Sequence, residues 1–82
     1  MQQAYLAAVV SSEALPALER AAEAARQNQA QADARYRAGL ATAVELADAE
    51  ALRTDAEIQL AIGQFDLARA RARLARATAE TP

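Results

Sequence analysis

The sequence predicts an all-α fold, an antiparallel two-helix coiled-coil hairpin expected to assemble into a larger helical bundle or barrel. Three features lead there. Alanine makes up about a third of the 82 residues, and alanine favours helix because it loses no side-chain entropy on folding. A single glycine, Gly39, stands almost at the centre, between a helix-stop and a helix-start pattern. Beyond it, leucine and small residues recur with heptad spacing, the mark of helices that pack along their length.

The alanine content also limits the fold. Hydrophobic residues are 54% of the chain and aromatics only 4%, namely Tyr5, Tyr36 and Phe65. Alanine buries little area, so helix propensity is high while core volume is small. The whole chain reads as one helical hairpin over residues 1–82, too thin to build a self-sufficient globular core.

Helix one is expected over about residues 2–38. Its stripe is Leu15, Leu18, Ala22, Ala25, Gln29, Ala32 and Tyr36, beside a small-residue set of Ala14, Ala17, Ala21 and Ala24. Pro16 interrupts the hydrogen-bond ladder. Tyr5, Leu6, Val9 and Val10 already have helical spacing, which favours a start near Gln2 with a bend at Pro16 over a start near Ser12. An arm of about 36 residues would be about 54 Å long.

The turn is expected at residues 39–42. Gly39 follows Arg35 and Arg37, as suits a left-handed C′ residue with cations near the last carbonyls. Thr42 and Glu45 have capping-box spacing: the Thr42 hydroxyl would accept from the amide of residue 45, and Glu45 would reach back to the amide of residue 42. Leu40 at the apex has two readings. It either clasps the end of helix one or offers an end-on contact to a partner.

Helix two is expected over about residues 43–78 and holds two seams. In the first, Leu46, Arg53, Leu60, Leu67 and Leu74 recur every seven residues, each followed three places on by a small residue: Ala49, Ala56, Gly63, Ala70 and Ala77. The second is offset by two residues: Val44, Ala51, Ile58, Phe65 and Ala72, followed by Ala47, Thr54, Ala61, Ala68 and Ala75. One stripe serves one partner, so two stripes imply neighbours on both flanks. The packing residues are therefore Leu46, Leu60, Leu67 and Leu74 in one seam and Ile58 and Phe65 in the other. Gly63 sits where neighbouring heptads have alanine, which favours close packing over a kink at that point.

Composition argues against catalysis. With neither histidine nor cysteine, the usual general base, the thiol nucleophile and the commonest transition-metal ligands are absent. No catalytic residue, metal ligand or cofactor is assigned. Glu45, Asp48, Glu50, Asp55 and Glu57 crowd the start of helix two, where acidic residues suit the macrodipole better than a metal site. Arg69, Arg71, Arg73 and Arg76 suit the helix C-terminus in the same way, with Arg69 expected near Glu13 across the hairpin. A net charge of −2 and the lack of interleaved aromatics weigh against nucleic acid. The apolar run from Ala4 to Val10 is too short to span a bilayer, and no basic residue precedes it as in a targeting signal.

The turn and the helix after it resemble those of the TolC-like outer membrane efflux proteins. The matching text is Arg35-Tyr36-Arg37-Ala38-Gly39-Leu40, then Glu45-Leu46-Ala47-Asp48-Ala49-Glu50 and the Leu60, Leu67, Leu74 ladder. The resemblance covers about Leu15 to Thr78. It implies a segment of a periplasmic α-helical barrel in an outer membrane protein, built by three subunits in the full-length family and serving tripartite export. It further implies that Arg35, Ala38, Gly39 and Leu40 meet the hairpin of a periplasmic adaptor protein. The family's membrane β-barrel strands, signal peptide and second repeat are not in this sequence, so the resemblance is to a hairpin segment, expected to self-associate as a dimer of hairpins. The alternative is a free-standing coiled-coil dimerisation or scaffold module with no transport role.

Overall fold

Two helices joined by a five-residue connection account for the described residues. The structure, a computed structural model, describes residues 2–79. Helix α1 runs Gln2–Arg37 and helix α2 runs Ala43–Ala79. They fold back on each other as an antiparallel hairpin, a rod of 66 × 14 × 13 Å. Helix α1 continues through Pro16. Proline has no amide hydrogen, so the Ser12 carbonyl loses its ladder donor there. Leu15 and Leu18, on either side of the proline, are half-buried and approach Gly63 of α2, and this packing offsets the lost bond.

The first seam of α2 is the hairpin's inner face. All ten of its positions are buried or half-buried, from Leu46 to Ala77. The stripe of α1 answers it at Leu15, Leu18, Ala22, Ala25, Gln29 and Ala32, none of them exposed. Tyr36 departs from this expectation: it is 44% exposed, one residue before α1 ends at Arg37. The small-residue set Ala14, Ala17, Ala21 and Ala24 is exposed throughout.

The core is thin, as alanine dictates. Ala22, Ala49, Leu67 and Ala70 are the buried residues among those described, and three of the four contribute a single methyl each. Gly63 lies inside uninterrupted helix, so the close-packing reading applies. A Cβ built on it would overlap Leu18 Cδ1 and touch Leu15 Cδ1 at 3.7 Å. The missing side chain is the space that Leu18 fills.

Candidate functional site

The tip is held by two interlocking caps. Gly39 has φ +77°, a left-handed conformation that costs an L-residue about 1–2 kcal/mol and glycine almost nothing. The Leu40 amide donates to the Arg35 carbonyl at 2.8 Å, and the Gly39 amide to the Tyr36 carbonyl at 3.0 Å. This pair of bonds is the Schellman motif, which satisfies the last carbonyls of α1. Arg35 Nη2 donates to the Leu40 carbonyl at 3.2 Å, tying the apex back to the helix. Arg37 instead pairs with Asp33 at 3.1 Å, one turn back on its own helix.

On the other side of the turn, the Glu45 amide donates to Thr42 Oγ1 at 3.1 Å and the Leu46 amide to the Thr42 carbonyl at 3.2 Å. Thr42 is therefore the N-cap of α2. The reciprocal half of a capping box is not formed: Glu45 makes no hydrogen bond to the Thr42 amide. Its carboxylate stays exposed, where water solvates it and the helix dipole still favours it. Leu40 is 69% exposed, so it does not clasp α1. Arg35, Ala38, Gly39 and Leu40 are all exposed and adjoin one another at the end of the rod.

Along the shaft, the second seam of α2 is uncovered. All ten of its positions, Val44 to Ala75, are exposed, with Val44 at 69%, Ile58 at 52% and Phe65 at 64%. With about 3.5 residues per turn, this seam and the inner one are centred roughly 150° apart around the helix. They are nearly opposite faces. Leu46, Leu60, Leu67 and Leu74 thus pack against α1, while Ile58 and Phe65 face solvent.

Between the tip and the middle of the shaft lies a polar layer. Arg53 interrupts the inner seam of α2 and Gln29 the stripe of α1; Arg53 Nη1 donates to Gln29 Oε1 at 2.9 Å. Arg53 Nε also donates to Glu57 Oε1 at 3.0 Å, and Arg26 Nε reaches the same oxygen from α1 at 3.1 Å. The two guanidinium groups, Arg53 first, hold the Glu57 carboxyl below the usual carboxylate range. Arg26 and Glu23 approach at 3.6 Å, and Gln27 donates to Glu23 at 3.3 Å. Sequence reasoning missed Arg26 and Glu57 in this network; the signal was Glu57 standing four residues after Arg53, a spacing that brings helical side chains together.

Arg69 forms no ion pair with Glu13. Arg69 lines a groove with Ala7 and Ser11, whereas Glu13 lines another with Arg71, and among the described residues no ion pair links Glu13 to either arginine. Among the described residues no three acidic side chains gather as a metal set, and no helix is long and apolar enough to cross a membrane. Compared with family models, curated proteins and solved structures, the chain matches none.

Proposed function

We propose that this chain is a helical hairpin of an outer-membrane efflux duct of the TolC-like kind, forming part of a periplasmic α-barrel wall and docking an adaptor hairpin at its tip. The observation that carries this reading is the second α2 seam, exposed at every position and nearly opposite the first. A helix with apolar faces on two nearly opposite sides fits between two neighbours in a wall one helix thick. The turn text from Arg35 to Leu40 supports the same reading, and so does the rigid, doubly capped apex that leaves Leu40 outward. Its work is assembly and docking, not catalysis. In the duct, three copies of the longer protein would close the barrel around a tunnel.

Binding of this hairpin to the hairpin of a periplasmic adaptor, measured by calorimetry, tests the reading. The wild type binds, and Leu40→Asp weakens binding at least tenfold while helicity by circular dichroism stays unchanged. No binding by the wild type, or equal binding by Leu40→Asp, overturns the docking role. A dimerisation module without a transport role is the second reading, favoured by the same unbroken seam; it predicts self-association with no adaptor binding.

A further inference from the structure

We infer that the exposed seam of α2 is covered by α2 of a second copy of this chain, running antiparallel about a two-fold axis between Gln59 and Leu60. The inference rests on the charges beside the seam, not on the efflux reading, and concerns the hairpin by itself: in a duct wall the tips share one end, whereas this pairing sets them at opposite ends. The flanks of its first half are acidic: Asp48 and Asp55 on one side, Glu50 on the other. Those of its second half are basic, Arg69 on the first side and Arg71 on the second. Asp48, Glu50, Arg69 and Arg71 are exposed, and among the described residues none of them is in an ion pair within the hairpin.

An antiparallel copy brings Asp48 beside the second copy's Arg69, and Glu50 beside its Arg71, each pair occurring twice by symmetry. A parallel, in-register copy would set acid beside acid and arginine beside arginine, which repels. The seam's shapes agree. In the antiparallel register Val44 falls opposite Ala75, Phe65 opposite Thr54 and Ile58 opposite Ala61, so each large side chain meets a small one across a seam about 46 Å long. In the parallel register Val44, Ile58 and Phe65 would each meet themselves.

Because the contacting seams lie nearly opposite the inner ones, the four helices form a flat layer with the two α2 helices in the middle, rather than a compact four-helix bundle. The dimer leaves both tips free, at opposite ends of the layer.

The chain has no cysteine, so introduced thiols report the pairing directly. Val44→Cys and Ala75→Cys are made separately, mixed, and oxidised under mild conditions, with sedimentation velocity on the wild type in parallel. The expected result is a wild-type dimer, and a disulfide joining one Val44→Cys chain to one Ala75→Cys chain in clear excess over either homodimer. A monomeric wild type, or cross-linking no better between the two variants than within each, overturns the inference. As a second check, Asp48→Arg with Glu50→Arg should be monomeric, as should Arg69→Glu with Arg71→Glu, and all four changes in one chain should restore the dimer. Failure of the four-fold variant to associate while its helicity is intact also overturns it.

Discussion

Arg53 and Gln29, the polar residues that interrupt the two facing apolar stripes, meet each other: Arg53 Nη1 donates to Gln29 Oε1 at 2.9 Å. A lone arginine in a leucine and alanine seam would be a costly fault, and so would a lone amide opposite it. Paired, they fix the axial register of two helices whose remaining contacts are mostly repeated methyl groups, which would tolerate sliding by a heptad. Glu57 and Arg26 extend the lock across the groove.

Replacing both partners by leucine should therefore stabilise the hairpin and loosen its specificity. Gln29→Leu with Arg53→Leu adds apolar burial on the order of 1 kcal/mol, a rise of about 4–8 °C in Tm for a chain of this size. Arg53→Leu alone leaves the Gln29 amide facing hydrocarbon and should gain less. Thermal melts read the first effect. A broader distribution of species in sedimentation reads the second.

The Glu57 carboxyl gives a pH dependence of fixed sign. Its folded-state pKa is lowered by Arg53 and Arg26, so the unfolded chain takes up the proton at higher pH than the folded one. Its stabilising contribution is complete above the unfolded pKa and is lost as pH falls through the folded one. Glu57→Gln should flatten the acid limb of a stability-against-pH curve and leave the neutral region less stable than wild type. Since these side chains are about two-fifths exposed, the difference should shrink in high salt.

Gly63 and Leu18 should show coupling. Gly63→Ala gains about 1 kcal/mol of helix propensity, but its methyl would overlap Leu18 Cδ1, the far end of a side chain that can shift. In the wild-type background the change should be nearly neutral. In the Leu18→Ala background, where the space is open, it should stabilise by about the full propensity difference. A double-mutant cycle by urea denaturation measures the gap, and equal effects in both backgrounds would remove the close-packing account.

The turn should respond to backbone, not to contacts. A Cβ at Gly39 would meet nothing within 4 Å, so Gly39→Ala should cost about 1 kcal/mol through the left-handed conformation alone. Thr42→Ala removes the N-cap acceptor and should cost a similar amount, about 1 kcal/mol. Leu40→Ala, at an exposed position, should change Tm little. Chemical denaturation of the three variants separates these cases.

Much of this molecule was legible in the chain. Helix propensity, the Gly39 stop, the Thr42 start and the leucine heptads are local or periodic signals, and they determined two helices, where they turn, and that α2 carries two apolar seams. What they left undecided was which seam faces inward, since Leu46 to Ala77 and Val44 to Ala75 have the same spacing. Only the tertiary structure chose, because the choice depends on what α1 offers across the groove: Gln29 for Arg53, and Leu18 for the space at Gly63. It likewise left Arg69 and Glu13 without an ion pair between them and Tyr36 and Leu40 uncovered. Periodicity fixes the faces of a helix. Complementarity between two particular helices, which no single stretch of sequence contains, fixes how those faces meet.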